Sequence, residues 1–274
     1  MSSWIAALPM YNVTPRHDAL WRALLRDALD AFANACGPAD VTLPDEPFAD
    51  LHALWRRDDL LLSQTCGYPY RMLGLRDVVR LIATPVFDAH GCHGAHYSSV
   101  LAVSSRAHAG GATTLAACRG LRAAFNGGDS HSGMNALRHA VAPHARGGRF
   151  FGSVAALGSH LNVLRALASA EADCAAIDCV TFAYVSDALP ELLEDIRIVG
   201  MTASAPGLPL IASRTLEDTQ VAALRDALDR AVATDVERAR VLRLKGFERL
   251  SPDAYEAIAR FEQEAAAHGY PALA

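Results

Sequence analysis

The chain has 274 residues, of which 51% are hydrophobic and 20% are charged, and its formal net charge at pH 7 is −5. This length is enough for one large domain or two ordinary ones, and the composition is typical of soluble globular proteins. The acidic balance leaves no basic stripe for nucleic acid or for an anionic membrane surface. The composition therefore favours a small-molecule ligand, and we predict no cofactor.

The N-terminal stretch MSSWIAALPMYNVTPRHD lacks the features of an export signal. It has no charged n-region, and Pro9 and Asn12 interrupt its apolar run. No apolar run approaches the roughly 18 residues that a membrane-spanning helix needs, so we predict no membrane insertion. The six cysteines include no CxxC pair, which predicts buried, reduced thiols rather than a zinc site or a disulfide framework. They are Cys36, Cys66, Cys92, Cys118, Cys174 and Cys179.

Short apolar runs alternate with turns and with segments of helical period along the chain. This alternation is typical of an α/β protein with largely parallel strands. Thr14 and Pro15 predict the N-cap and first residue of a helix, and Pro85 predicts that the chain leaves a sheet there. The predicted strands are WIAALPMY, LLLSQT, VVRLIATPVF, YSSVLAVSS, LRAAFN, DCAAID, IRIVGMTA and LPLIAS.

The order of these segments predicts two α/β lobes. Residues 86–194 form one lobe, and residues 1–85 together with 195–274 form a second, discontinuous lobe. The last helix, from Pro252 to His268, is predicted to be structural. Two crossovers would leave a cleft between the lobes, and ligands of open α/β sheets bind beyond the carboxyl ends of the strands. The loops that follow the strands are therefore the candidate binding loops.

The stretch NGGDSHSGMNALRHAV follows the strand LRAAFN and precedes an amphipathic helix. The first N–H groups of a helix lack intrahelical partners, and the helix dipole adds partial positive charge there. Ser130, Ser132 and the N–H groups around Gly133 could therefore converge on an oxyanion. The alternative is that Ser130 or Ser132 only caps the helix.

The block GDSHS also resembles the Gly-Asp-Ser block of one lipase family. A nucleophile elbow G-x-S-x-G would need glycine at the position of Ser132, so that elbow is absent. An enzyme on the same scaffold, either a serine hydrolase acting through Ser130 or a relative of pyrimidine-precursor synthases, stays as the alternative function. A cytoplasmic ligand sensor is a third hypothesis.

Two further candidate stretches contain histidine. GSHLNVL places His160 in the first turn of a predicted helix, where it could donate a hydrogen bond to an anion or simply face solvent. HGCHGAHY contains three histidines and Cys92, but its spacing matches no zinc pattern, so we predict no metal site.

Tyr68, Tyr70 and Tyr97 lie in or beside turns, where each could contact a ligand or pack against the core.

Six motifs follow one another along the chain in the order LLLSQTCGYPY, HYSSVLAVSS, NGGDSHSGMNAL, GSHLNVLRALASAEADCAAID, PGLPLIAS and KGFERLSPDAYEAI. In these motifs and their order, the chain resembles the phosphate, phosphite and phosphonate substrate-binding proteins of ABC transporters from Ile5 to Tyr270. The resemblance implies a type II periplasmic-binding-protein fold with two α/β lobes that close on a small oxyanion, without catalysis. It also implies a periplasmic location, with a cytoplasmic one as the alternative, and a transporter permease as a possible partner.

The resemblance also implies a set of ligand-binding residues. Asp178 lies where an aminophosphonate's amino group would be recognised, or else it caps the next helix. Asp129 departs from the pattern, because its carboxylate would oppose a dianion unless it turns away. Tyr68 matches the first-lobe tyrosine better than Tyr70 does. The implied residues are Ser130, His131 as the variable middle residue, Ser132, Gly133, His160, Tyr97, Tyr68 or Tyr70, and Asp178.

Overall fold

The computed structural model describes residues 4–35, 40–46 and 48–274, so Cys36 lies outside the described residues. The helices are α1 (Pro15–Ala35), α2 (Leu51–Trp55), α3 (Gly67–Met72), α4 (Ser105–Ala109), α5 (Ala136–Val141), α6 (His160–Ala168), α7 (Cys179–Ala188), α8 (Asp218–Thr234), α9 (Val236–Val241) and α10 (Glu256–Ala267). The strands are β1 (Trp4–Ala7), β2 (Val41–Thr42), β3 (Leu60–Gln64), β4 (Val79–Phe87), β5 (Cys92–His93), β6 (His96–Tyr97), β7 (Ser99–Ser104), β8 (Arg122–Phe125), β9 (Ser153–Ala156), β10 (Cys174–Asp178), β11 (Ile196–Met201), β12 (Ala205–Pro206), β13 (Leu210–Ser213) and β14 (Leu244–Glu248).

The first unit consists of Met1–Asp88 and Gly207–Ala254 and contains a sheet of strand order β14-β4-β13-β3-β1-β2. Helix α1 starts where Thr14-Pro15 predicts, and the His17 backbone N–H donates to Thr14 Oγ1 at 3.3 Å. Helices α1 and α8 pack together through apolar positions spaced three and four residues apart. The buried positions include Trp21, Leu24, Ala28 and Phe32 of α1 and Val221, Leu224, Leu228 and Ala231 of α8.

The second unit consists of Ala89–Pro206 and Tyr255–Ala274. Its main sheet has the order β11-β7-β10-β8-β9, and a smaller sheet has the order β12-β6-β5. Strands β7 and β10 are buried along their whole length, in keeping with the consecutive apolar residues at the centre of each sequence. One apolar core joins the main sheet to α5 and α10, and its members include Leu101, Val103, Leu137, Val141, Phe150 and Ala265.

Both main sheets are mixed, so the prediction of largely parallel strands was wrong. In the first unit β1 is parallel to both β2 and β3, whereas β13 is antiparallel to β3 and β4. In the second unit β10 is parallel to β8 and antiparallel to β7. Hydrophobic periodicity identifies a buried strand but contains no information about the direction of its neighbour.

Pro85 does not end its strand, contrary to the sequence-based prediction. Strand β4 pairs with β13 up to Ala83, and from Thr84 onward it pairs with β14 on its other edge. Pro85 therefore lies just beyond the reach of β13, where its missing N–H removes no hydrogen bond to that strand. The proline marks a change of partner within one continuous strand.

The boundaries of the units differ from the predicted lobes in the segment 195–274. Strand β11 pairs with β7 in the second unit, starting with Ile196 opposite Ser104. Helix α10 also belongs to the second unit, where Asn135 Nδ2 donates to the Ile258 carbonyl oxygen at 3.0 Å. The chain thus passes between units after Asp88, after Pro206 and once more after Ala254, one passage beyond the two expected.

Candidate functional site

The loop between β8 and α5 forms the start of a helical segment. Ser130 is its N-cap, since its backbone is extended and its Oγ accepts the Gly133 backbone N–H at 3.0 Å. A π-helical turn, His131–Asn135, follows and continues directly into α5. The capping alternative is therefore realised for Ser130. Because Oγ acts as the acceptor in this bond, the hydroxyl hydrogen of Ser130 can still donate to another group.

Ser132 and His160 bring two helix starts together. Ser132 Oγ and His160 Nε2 lie 2.8 Å apart and share a hydrogen bond. His160 is the first residue of α6, whose N-cap Ser159 accepts the Asn162 backbone N–H at 3.1 Å. The two Ser/His stretches that the sequence analysis singled out separately are thus joined in one cluster.

His160 is electrically neutral at physiological pH. Burial of its ring lowers the pKa of His160 to about 4. Its Nδ1 is buried and has no hydrogen-bond partner among the described residues. The cluster therefore offers neutral hydrogen-bonding groups to a ligand rather than an imidazolium charge.

His131 is also neutral, and its tautomer follows from its neighbours. Arg138 can only donate, and its Nη2 lies 2.6 Å from Asn135 Oδ1, which orients that amide. Asn135 Nδ2 then donates to His131 Nδ1 at 3.1 Å, so the ring proton is on Nε2. Burial, followed by His139 and Arg138, lowers the pKa of His131 to about 3.

Arg138 connects this loop to the C-terminal part of the second unit. The side chain is buried, and its Nη2 donates to Glu262 Oε2 at 2.7 Å, while Nη1 donates to the Pro271 carbonyl oxygen at 2.9 Å. The guanidinium charge is thus balanced within the fold. Glu262 lies in helix α10, which was predicted to be structural. The helix therefore holds Arg138, which orients the Asn135 amide that donates to His131.

Gly133 is required by a close approach of Asn126. A Cβ added to Gly133 would lie 2.0 Å from Asn126 Oδ1 and 3.2 Å from His160 Cε1. Asn126 Oδ1 is itself buried and has no hydrogen-bond partner in the described part of the chain. Asn126 was not predicted as a site residue, although it ends the predicted strand LRAAFN and directly follows the observed strand β8, where binding groups are expected.

Asp178 ends β10 and caps α7. Its Oδ1 accepts the backbone N–H groups of Val180 at 2.8 Å and Thr181 at 2.9 Å. The capping alternative is therefore realised for Asp178. Its cross-strand neighbour Ser99 donates from Oγ to the Ser132 carbonyl oxygen at 3.0 Å, which ties β7 to the loop. Ser99 is a second residue that the sequence analysis missed.

The three candidate tyrosines are divided between the two units, one in the second and two in the first. Tyr97, in β6, is buried in the second unit with its ring centroid 6.2 Å from that of His131. Tyr68 and Tyr70 lie in α3 of the first unit. Tyr70 is fully buried, and burial raises the pKa of its hydroxyl. Tyr68 is partly exposed.

Asp129 lies close to the start of its own loop. Its Oδ1 would lie 3.0 Å from a Cβ built on Gly127. One carboxylate oxygen is therefore beside the backbone that precedes Ser130.

The described residues contain no group of three or more His, Cys, Asp or Glu side chains placed to hold a metal ion. In the stretch HGCHGAHY, Cys92 pairs across the β5–β6 hairpin with Tyr97 and His93 pairs with His96.

The length and hydropathy of the helices bear on membrane insertion. None of the helices within the described ranges is both long enough and apolar enough to span a bilayer.

Residues 14–255 match the family described as ABC transporter, phosphonate, periplasmic substrate-binding protein. No curated protein matches the chain. Solved structures at low sequence identity share this fold. They confirm the predicted two-lobe binding-protein fold, and at this identity they are evidence for the fold only.

Three of these structures are similar over nearly the whole chain. The binding protein component of an ABC phosphonate transporter from Pseudomonas aeruginosa has 17% identity and a TM-score of 0.76, with 98% of this chain and 88% of that chain covered. PhnD1 from Prochlorococcus marinus, in complex with methylphosphonate, has 16% identity and a TM-score of 0.73, with 96% and 98% covered. XAC2383 from Xanthomonas citri, bound to ATP, has 16% identity and a TM-score of 0.70, with 98% of each chain covered.

Proposed function

Since the chain belongs to the phosphonate ABC-transporter family of periplasmic substrate-binding proteins, we propose that its ligand is a phosphonate or a phosphate-like oxyanion. Its role is that of a solute-binding protein. The observation that supports an oxyanion ligand most strongly is the contact of Ser132 with His160 at the start of the 131–141 helical segment. Hydroxyl groups lie there at the positive end of a helix dipole.

The hydrogen-bond directions favour donation to an anion. When His160 Nε2 carries its proton and donates to Ser132 Oγ, the Ser132 hydroxyl hydrogen can donate only to a further group. The hydroxyl hydrogen of Ser130 can likewise donate to a further group, because Ser130 Oγ already accepts the Gly133 N–H. Two hydroxyl donors separated by one residue then flank one helix start. Hydrogen bonds to a charged acceptor are stronger than bonds between neutral groups.

The remaining family-matched residues complete the proposed site. Tyr97 and His131 would be further ligand contacts, together with Tyr68 or, as its alternative, Tyr70. Asp178 would bind an amino group on the ligand, while its Oδ1 also accepts the two capping bonds. We propose these roles on the resemblance of the motifs together with their local geometry.

Isothermal titration calorimetry tests the ligand class. The panel is methylphosphonate, 2-aminoethylphosphonate, inorganic phosphate and ATP, the last because the Xanthomonas citri protein is bound to it. We expect saturable 1:1 binding of at least one phosphonate or phosphate. A panel that gives no heat, confirmed by the absence of any shift in thermal unfolding, would reject the oxyanion proposal.

We propose that the chain has no catalytic activity. The family is one of transport proteins rather than an enzyme class. Ser130 bonds a backbone N–H, and the serine that contacts a histidine is Ser132. His160 Nδ1 lacks the orienting acceptor of a Ser-His-Asp triad within the described residues. A burst of product from an activated ester that disappears in Ser130→Ala or Ser132→Ala would contradict this proposal.

We also propose that the protein acts in the periplasm and passes its ligand to an ABC-transporter permease. The family description supports both parts. Fractionation of the native host with an antibody against the chain tests the location. Ligand uptake in cells lacking the gene tests the transport role, and unchanged uptake would contradict it.

A further inference from the structure

Two cysteines from distant parts of the second unit lie side by side. Cys92 Sγ and Cys179 Sγ are 3.4 Å apart, although the residues are separated by 87 positions in the chain. Cys92 is partly exposed in β5, and Cys179 is buried as the first residue of α7. A disulfide has an S–S bond of about 2.05 Å, so the two sulfurs need to approach by about 1.4 Å.

The backbone holds this pair in place from both sides. Gly91 has φ +97°, and a Cβ there would lie 3.2 Å from Cys179 Cβ and 2.5 Å from Met201 Cε. The Cys179 backbone N–H donates to the Ser98 carbonyl oxygen at 3.3 Å, and the Ser98 N–H donates to the Gly91 carbonyl oxygen at 2.9 Å. The β5–β6 hairpin is therefore attached to the start of α7, which keeps the backbones of the two cysteines close together.

A second thiol pair provides a comparison inside the same unit. Cys118 and Cys174 also share a side-chain hydrogen bond, but both residues are 0% exposed. An oxidant dissolved in water cannot reach either sulfur in the folded chain. Accessibility therefore distinguishes the Cys92–Cys179 pair from the Cys118–Cys174 pair.

We propose that Cys92 and Cys179 form an intramolecular disulfide by exchange with a disulfide oxidant such as glutathione disulfide. The partly exposed Cys92 loses its proton and attacks one sulfur of the oxidant, forming a mixed disulfide and releasing one thiol. Cys179 then loses its proton and attacks Cys92 Sγ, which releases the second thiol. Two protein thiols are oxidised, one oxidant disulfide is reduced to two thiols, and the protons are transferred to them.

The order of these steps follows from the environment of Cys179. Its hydrogen bond with Cys92, together with burial and the nearby Asp178 charge, raises the pKa of the Cys179 thiol. Cys92 is therefore the first nucleophile. In the mixed disulfide Cys92 is no longer a thiol or thiolate, so the largest cause of the raised pKa changes before Cys179 reacts.

The bridge would join two structures that contain candidate ligand contacts. Cys92 is directly opposite Tyr97 in the β5–β6 register, and Cys179 follows the helix cap Asp178. A covalent link between them restrains the hairpin and the helix start together. Disulfides persist in the periplasm, the compartment named in the family description. The formation of the bridge does not depend on which ligand the protein binds.

The test is oxidation of the folded chain by glutathione disulfide, followed by alkylation in denaturant and mass spectrometry. We expect two of the six thiols to become unreactive and a cross-linked peptide to contain Cys92 and Cys179. Cys92→Ser should remove the cross-link, whereas Cys118→Ala should keep it. Six reactive thiols after oxidation, or a bridge between a different pair, would overturn the proposal.

Thermal unfolding and hydrogen exchange give an independent readout. The oxidised chain should unfold at a higher temperature than the reduced chain, because the bridge constrains a long loop of the unfolded state. Amide exchange in residues 90–98 should also slow on oxidation. Both effects should disappear on reduction and in Cys92→Ser. Equal responses of Cys92→Ser and the unsubstituted chain to the oxidant would also contradict the proposal.

Discussion

Ser132 Oγ and His160 Nε2 share a hydrogen bond of 2.8 Å that joins the starts of two helices. The residues are 28 positions apart in the chain, and each lies in the first turn of its helix. A ligand oxygen placed at this junction could accept hydrogen bonds from side chains and from backbone N–H groups of the helix start. Each prediction below follows from this junction or from the residues that support it.

Removing the Ser132 hydroxyl should weaken ligand binding without unfolding the protein. We expect Ser132→Ala to reduce the affinity for the best ligand of the calorimetric panel by about 1 to 3 kcal/mol, the usual range for a bond to a charged acceptor. Ser153→Ala, on the exposed strand β9, is the matched control and should bind normally. An affinity for Ser132→Ala equal to that of the control would remove Ser132 from the proposed site.

Ser130→Ala should lower both binding and stability, because Ser130 is also a helix cap. Loss of an N-cap hydrogen bond costs about 0.5 to 2 kcal/mol of the free energy of unfolding. Urea denaturation measures this cost, and calorimetry measures the accompanying loss of affinity. Reduced affinity with unchanged stability would indicate that the bond from the Gly133 N–H to Ser130 Oγ contributes little to the fold.

The addition of a methyl group should destabilise the protein at Gly133 but not at Gly128. A Cβ at Gly133 would lie 2.0 Å from Asn126 Oδ1, whereas a Cβ at Gly128 would meet nothing within 4 Å. Gly133→Ala should therefore lower the thermal unfolding temperature, while Gly128→Ala should leave it nearly unchanged. Adding Asn126→Ala to Gly133→Ala should recover part of the loss. Full stability of Gly133→Ala alone would show that the Asn126 side chain moves away freely.

Thermal stability should fall as the pH falls from about 6.5 toward 4. In the unfolded chain histidines take up protons below about 6.5, whereas burial lowers the pKa of His131 to about 3 and that of His160 to about 4 in the folded chain. The unfolded state therefore binds more protons in this window and is favoured by acid. Unfolding temperatures measured across the window should show a weaker pH dependence in His160→Gln, but not in the exposed control His268→Gln. Identical slopes for the three proteins would argue against the lowered pKa of His160.

Asn135→Asp should reverse the tautomer of His131. The amide donates to His131 Nδ1, and a carboxylate at the same place can only accept. The ring proton should move from Nε2 to Nδ1, and the pKa of His131 should rise because a negative charge is now adjacent. Nitrogen NMR of the histidine ring detects both changes. Asn162→Asp, an exposed change on α6, serves as the control, and an unaltered His131 spectrum in Asn135→Asp would contradict the assigned orientation of the amide.

The sequence by itself determined the type of most elements and the family. The buried strands β3 and β7 each contain a short run of consecutive apolar residues, and the long helices α1 and α8 place their apolar residues on one face, so the local pattern was sufficient. The caps at Thr14 and Ser130 could also be predicted from the sequence, because a cap bonds only to backbone a few residues away. Strand β9, which is exposed along its length, and β14, which is partly exposed, lack that apolar pattern and were missed.

Only the tertiary structure decided which distant groups meet. The contact of Ser132 with His160, the orientation of Asn135 by Arg138, the approach of Asn126 to Gly133 and the pairing of Cys92 with Cys179 each depend on strand register and helix packing. Strand register and helix packing also determine the direction of each strand and the return of the chain to the second unit after Ala254. Short-range patterns describe a residue's own element, whereas hydrogen bonds and close contacts between elements are fixed by the assembled core.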